Sequence, residues 1–181
     1  MSIRFSLVRT LASLLGLALL LGCTGTPRGV EPVDGFEIER YTGLWYAIMR
    51  LDHRFERGLT RVTAEYTLRD DGRVTVHNRG FDPEACDWRE VEGTARFRGD
   101  PGTASLAVSF FWPFAGGYHV IALDDDYRWA MVSGPTRRYL WILARSPELD
   151  ERVQRELIER ARDLAFPVDE LIPVDHGEKD C

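Results

Sequence analysis

The tetrad Gly43-Leu44-Trp45-Tyr46 stands at the start of the first of about eight strand-like segments, and Leu143-Ala144-Arg145 closes the last of them. A tryptophan at a strand start needs a defined cover for a large ring that is seldom fully buried. A guanidinium stacked on the indole face supplies one, through a cation–π contact of roughly 0.5–2 kcal/mol. Gly43, Trp45 and Arg145 are therefore expected to form the sealed floor of a closed β-structure whose cavity opens at the opposite end.

The segments between these two landmarks read as strands over 44–52, 60–69, 73–80, 89–98, 103–112, 118–123, 127–133 and 138–144. Short turns join them. Asp70-Asp71-Gly72 is the strongest hairpin signal, because glycine tolerates the positive φ that such turns demand. Val62, Ala64, Tyr66 and Leu68 alternate with Thr63, Glu65, Thr67 and Arg69, and Val91, Gly93, Ala95 and Phe97 alternate with polar residues in the same way, so each strand has an apolar face to turn inward. Consecutive strands on tight turns make an antiparallel meander, and closing it removes the exposed edges. The period changes over 147–164, where Leu149, Val153, Leu157, Ile158, Ala161 and Leu164 share one stripe of an amphipathic helix. The expected fold is all-β: an eight-stranded antiparallel up-and-down barrel, with one C-terminal helix packed on its outside. Eight strands leave room for one small ligand.

The first 22 residues are unlike the rest. Arg4 and Arg9 precede an apolar run from Leu11 to Leu21 that is short for a membrane span, which is the pattern of a secretory signal peptide. Leu20-Leu21-Gly22-Cys23 resembles the lipobox of bacterial lipoproteins, making Cys23 the expected lipidation site. Thr24 follows it, where an aspartate would resemble an inner-membrane retention signal. The outer membrane, at its periplasmic face, is the favoured location. Residues 23–35, rich in Gly, Pro and Thr, read as a flexible lipidated tether, 36–175 as the barrel domain and 176–181 as a tail. Two of the 23 basic residues and none of the 29 acidic ones go with the signal, so the formal charge falls from −6 to −8. An acidic exterior with no basic stripe argues against nucleic acid as a partner.

Catalytic and metal readings find little support. There is no Gly-x-Ser-x-Gly elbow, and His53, His77, His119 and His176 are dispersed with no metal-ligand spacing among themselves or to a cysteine. No cofactor and no metal is expected.

Taken together, Gly43-Leu44-Trp45, Asp126-Tyr127 and Arg145 resemble the three signature regions of the lipocalins. Leu51 to Leu59, Ser109-Phe110-Phe111-Trp112-Pro113-Phe114, Gly116-Gly117-Tyr118 and Tyr139-Leu140-Trp141-Ile142-Leu143 resemble the bacterial outer-membrane members of that family, so the similarity spans about residues 36 to 174. The resemblance implies an eight-stranded calyx that binds fatty acids or lysophospholipids. Strand parity counted from Arg145 puts Leu143, Trp141 and Tyr139 on the inner side. Tyr66, Phe97, Tyr118, Tyr139 and Trp141 are the candidate ligand contacts, with ordinary barrel core as the alternative for each. His53, Arg54 and Arg57 lie where the largest mouth loop of a lipocalin would be, as candidates for meeting an anionic headgroup or as members of a solvated loop. Cys86 and Cys181 remain after export to an oxidising compartment, and lipocalins often tie the tail to the barrel wall by such a bond; two free thiols or an intermolecular bridge are the alternatives. The expected function is binding, storage or transport of such a lipid by a protein held to the membrane through Cys23. An envelope adaptor with a filled barrel is the alternative, a lipid-modifying enzyme a more distant one, and a homodimer is compatible with either.

Overall fold

The computed structural model describes residues 24–177; the signal segment, Cys23 and Cys181 lie outside the described residues. A four-residue helix α1 (Ile38–Tyr41) precedes eight strands: β1 (Gly43–Leu51), β2 (Thr60–Leu68), β3 (Val74–Asp82), β4 (Asp87–Phe97), β5 (Ser105–Phe111), β6 (Phe114–Leu123), β7 (Trp129–Ser133) and β8 (Leu140–Ala144). Helix α2 (Glu151–Asp163) and a short strand β9 (Leu171–Pro173) follow. Each of the eight strands is antiparallel to its sequence neighbour, and β1 pairs with both β8 and β2, which closes the barrel. β2 stays with β1 only over Gly43–Tyr46; beyond it, β9 takes the vacated edge opposite Met49–Leu51. The three-residue β9 thus covers the edge that the outer part of β1 would have exposed.

The turns form where the sequence places them. Gly72 has φ 75°, and the Asp71 carboxylate accepts a 3.1 Å hydrogen bond from the Arg73 amide, so the β2–β3 hairpin closes on its own side chain. Alternation sorts the apolar residues into two layers. Trp45, Val62, Tyr66, Val74, Val76, Ala95, Leu106, Val120, Val132 and Leu143 fill the lower interior. Ile48, Met49, Ile121, Met131, Leu140 and Ile142 face outward and receive Val153, Leu157, Ile158, Ala161 and Leu164 of α2. The helix starts at Asp150, whose carboxylate accepts from the amides of Arg152 and Val153, satisfying donors that the first turn would otherwise orphan. Burying a leucine such as Leu157 (3% exposed) contributes roughly 1.5–3 kcal/mol, so this seam, not helix propensity, holds α2 in place.

The segment expected to be a loose tether is seated on the barrel from Thr24 onward. Val33 donates to Val120 O at 2.9 Å and accepts from Ala104 at 3.0 Å, and Val30 is 3% exposed in the helix-side layer. Its two valines supply the apolar anchorage that a Gly-Pro-Thr composition conceals.

A bulge in β1 matters most for the interior. The register opposite β8 runs Ala47–Leu143, then shifts, then Met49–Ile142 and Arg50–Trp141. Strict alternation from Trp45 and Ala47 would carry Met49 inward and Arg50 outward. The extra residue at Ile48 reverses this and turns Arg50 to the inner face opposite Trp141.

Candidate functional site

One end of the barrel is sealed. Trp45 is fully buried, its indole N–H donating to Tyr41 O at 2.8 Å, and the Arg145 guanidinium lies 4.0 Å above its ring. That guanidinium also donates to Arg40 O at 2.8 Å, Leu44 O at 2.9 Å and Tyr127 O at 3.3 Å, tying α1, β1 and the β6–β7 turn together. Burial pulls Arg145 below its ordinary pKa range, against the nearby phenols that favour its charge. Gly43 has φ 90°, a left-handed conformation that gives the chain its approach to the floor. Phe36 and Tyr127 complete the seal, and the Tyr127 hydroxyl accepts from the Glu37 amide at 2.9 Å.

Above the floor the interior is aromatic. The Tyr118 hydroxyl lies 2.7 Å from that of Tyr41 and 2.8 Å from that of Tyr66, so three phenols satisfy one another inside an otherwise apolar wall. Desolvation by burial raises all three above the usual phenol range. Phe97 stands edge-on to Phe36 at 6.3 Å. In a closed barrel, an inward side chain that is only half-buried borders open space. Leu59, Ala64, Val108, Phe110, Tyr118 and Trp141 are of this kind, and all but the tyrosine hydroxyl and the indole N–H present carbon to that space.

The open end carries the β1–β2 loop and the β5–β6 turn. Four aromatic rings project there into solvent: Phe55 at 62% exposure, Phe111 at 69%, Phe114 at 76% and Trp112 at 91%. Phe111, Trp112 and Phe114 cluster in one turn, and large apolar side chains so exposed and so near in sequence mark a contact surface, where scattered singles would not. Just inside the rim is a polar group. Arg50 (3% exposed) donates to Glu56 O at 2.7 Å, and its Nε lies 3.5 Å from the Glu56 carboxylate. The same carboxylate accepts from the Trp141 indole at 3.3 Å and lies 3.5 Å from His53 Nε2. The His53 ring packs 5.0 Å from Trp141 and 5.8 Å from Tyr139.

The expected contact residues thus fall into three places. Tyr66 and Tyr118 meet in the phenol group, Phe97 lies against the floor, and Tyr139 and Trp141 gather with His53 beneath the rim. Arg54 and Arg57 are elsewhere: Arg54 stacks on Phe55 at 4.8 Å, and Arg57 is exposed and paired with Asp52 at 2.8 Å. Asp52 is held below its usual pKa, chiefly by that hydrogen bond. Residues that the sequence reading passed over are Tyr41, Arg50 and Glu56. Arg50 carried a signal, as the one charged residue in the otherwise apolar run of β1. Cys86, exposed in the β3–β4 turn at φ 53°, is not a free thiol, and its expected mate Cys181 lies outside the described residues.

A groove of about 500 Å³ lies on the outer wall of β1–β4. There Trp88 packs against two guanidiniums, Arg79 at 3.7 Å and Arg61 at 4.9 Å, while Glu90 pairs with Arg79 and His77. Its charges neutralise one another within the wall. Among the described residues no group of His, Cys, Asp or Glu could hold a metal ion, and no helix is long and apolar enough to cross a membrane.

Comparison with known proteins agrees with this geometry. A family model described as a lipocalin-like domain matches residues 36–176. The outer membrane lipoprotein Blc of Escherichia coli K12 is 51% identical over 156 residues, which is 85% of this chain and 88% of that protein. The Citrobacter freundii protein of the same name is 49% identical over 163 residues, 89% and 92% of the two chains. Among solved structures, insecticyanin from the tobacco hornworm Manduca sexta superposes with a TM-score of 0.67 at 20% identity, covering 86% of this chain and 88% of its own.

Proposed function

Because the chain belongs to the lipocalin family, a family of binding proteins and not of enzymes, we propose that it is an outer-membrane-anchored carrier that takes a fatty acid or lysophospholipid into its barrel. The observation that carries this reading is the asymmetry of the interior: one end stoppered by Trp45, Arg145 and α1, the other open above half-buried apolar walls. A single acyl chain entering from the rim gains about 0.8 kcal/mol per methylene removed from water, before the costs of ordering and of leaving its membrane are subtracted. The polar end stays near the opening. Diacylation at Cys23 supplies the anchor, and the names of the bacterial relatives support the outer membrane as its location.

Thr24, next to that anchor, lies against Gly117 on the outside of β6, a few residues from the exposed Phe114 and Trp112. The aromatic rim is therefore near enough to meet the same membrane, and a lipid can pass into the barrel with little exposure to water. Cys86 pairs with Cys181, fastening the tail to the β3–β4 turn. Thiol titration of the unreduced, lipidated protein should then find no free cysteine; two would remove the bond.

The decisive experiment is native extraction from the membrane followed by lipid mass spectrometry, with displacement of a fluorescent fatty acid by oleate and by lysophosphatidylcholine. Stoichiometric co-purifying single-chain lipid, displaced by one or both, supports the carrier. A protein that retains and binds no amphiphile overturns it.

A further inference from the structure

Arg50 is a cation inside an apolar barrel, and a buried cation needs a counter-charge. Its terminal nitrogens donate to the backbone carbonyls of Glu56 at 2.7 Å and Leu51 at 3.4 Å, but the counter-charge it has is loosely fitted. The Glu56 carboxylate comes from the mouth loop and stands 3.5 Å from Arg50 Nε and 3.5 Å from His53 Nε2, at ion-pair distance but beyond a normal hydrogen bond to either. Arg50 Nε and both ring nitrogens of His53 are buried with no hydrogen-bond partner. Unsatisfied buried polar atoms are rare in folded proteins, and here one guanidinium donor and both ring nitrogens of one histidine lie beside a single carboxylate. This chain makes tight pairs elsewhere: Arg128 grips Asp124 through two nitrogens, at 2.8 and 3.0 Å.

The position of the group gives it meaning. Arg50 faces inward only because of the bulge at Ile48, directly opposite Trp141 on the wall bordering the cavity. Glu56 belongs to a loop whose next residues, Arg57 and Gly58, are exposed, and Gly58 has φ 78°. The carboxylate also meets the inner wall, accepting from the Trp141 indole at 3.3 Å. An acid on the mouth loop, set against an arginine whose Nε has no hydrogen-bond partner, occupies the place of a headgroup.

We propose that Arg50 is the counter-ion for an acidic single-chain lipid, and that Glu56 fills that place until the lipid arrives, so that binding displaces the carboxylate and frees the mouth loop. This rests on the carrier reading above and adds to it a ligand class, an anionic headgroup of either carboxylate or phosphate monoester type. A planar or tetrahedral oxyanion of that kind can take charge-assisted hydrogen bonds from Arg50 Nε and from His53, which Glu56 does not reach. Asp52, 3.5 Å from Arg50, remains to balance the guanidinium during the exchange.

The test compares four probes, oleate, lysophosphatidic acid, lysophosphatidylcholine and neutral monoolein, on the full lipidated chain. Glu56→Gln removes the competing charge and keeps the shape. It should tighten oleate and lysophosphatidic acid about fivefold or more, and leave monoolein within twofold. Arg50→Gln should weaken both acids at least tenfold. Should that variant fold poorly with Glu56 left unpaired, Arg50→Gln combined with Glu56→Gln supplies a neutral pocket that must still bind monoolein while losing its preference for acids. A gain for oleate alone assigns the carboxylate, and for lysophosphatidic acid alone the phosphate. Trypsin cleavage after Arg54 and Arg57 reports the loop: it should quicken in Glu56→Gln without lipid, and in the unmodified protein with oleate but not with monoolein. Variants that shift acids and monoolein alike, or Glu56→Gln with unchanged or weaker acid binding, overturn the proposal while the carrier reading stands. A protein that binds none of the four overturns both.

Discussion

Replacing Arg145 by alanine is the most direct test of the sealed floor. The side chain makes one cation–π contact at 4.0 Å to Trp45 and donates to the carbonyls of Arg40, Leu44 and Tyr127 at 2.8, 2.9 and 3.3 Å. The ring contact contributes roughly 0.5–2 kcal/mol. The bonds to Arg40 and Leu44 lie at the protein surface, where water replaces them, so each contributes about 0.5–1 kcal/mol and the longest adds little. The sum is about 2–4 kcal/mol, or roughly 6–12 °C in Tm for a domain of this size. Arg145→Lys keeps the charge, but a single ammonium cannot span three carbonyls and a ring, so it should recover about a third of the loss. Thermal unfolding followed by near-ultraviolet circular dichroism would measure each variant. A double-mutant cycle with Trp45→Phe should return a coupling of about 0.5–2 kcal/mol. An alanine variant melting within 2 °C of the parent, or a coupling of zero, would refute the argument that guanidinium and indole form one stopper.

Three further outcomes follow from the interior. Of six tyrosines, Tyr41, Tyr66 and Tyr118 are raised by burial, so absorbance titration at 295 nm of the native protein should find at most three phenolates below the pH at which it unfolds; Tyr118→Phe, which removes both shared hydrogen bonds, should cost about 1–3 kcal/mol in urea unfolding. His119 is fully buried with Ser105 Oγ on one nitrogen at 3.0 Å and the Thr24–Gly25 backbone facing the other, and burial, opposed by those carbonyls but aided by Arg98, lowers its pKa. As pH falls below about 6.5 the unfolded chain therefore takes up a proton that the folded state resists, and stability should decline from pH 7 to 5 with a slope that His119→Asn reduces. Gly93→Ala would place a methyl 2.6 Å from Phe110 Cδ1 and 2.9 Å from the Ser109 carbonyl; the ring can shift but the backbone oxygen cannot, so a loss of about 1–3 kcal/mol is expected from chemical denaturation.

Much of this architecture was legible because its causes are local and periodic. Val62, Ala64, Tyr66 and Leu68 announce an inward face by alternation alone, and the structure packs all four inside. The stripe from Val153 to Leu164 announces the helix by its longer period. What could not be read has non-local or sub-threshold causes. Four residues, Ile38–Tyr41, are too few to show helical periodicity, yet they close the floor by offering Arg40 O to Arg145 and Tyr41 O to Trp45. β9 is three residues long and exists only because β2 leaves β1 after Tyr46. The bulge at Ile48 defeats parity counting from Trp45, and so hid the inward turn of Arg50. Parity counted backward from Arg145 along β8 met no bulge and placed Leu143 and Trp141 on the inner wall, where the structure has them.

The two ends of the barrel are held by different means, and the difference decides where the molecule can open. At the floor, each group has a near-ideal partner in another element: indole to Tyr41 O at 2.8 Å, guanidinium to Arg40 O at 2.8 Å, phenol to the Glu37 amide at 2.9 Å. Loosening one strains the others, so this end opens only with the whole domain. At the rim Arg50 holds the Glu56 backbone carbonyl at 2.7 Å, but the Glu56 carboxylate itself rests on contacts of 3.3 to 3.5 Å, with Phe55 and Arg57 of the same loop already in water. Withdrawing Glu56 breaks no sheet hydrogen bond and uncovers carbon that an acyl chain can cover again. A container of this kind needs a bottom that never leaks and a lid that yields to its own cargo, and the sequence divides these duties between Arg145 and Arg50, at the two ends of one interior.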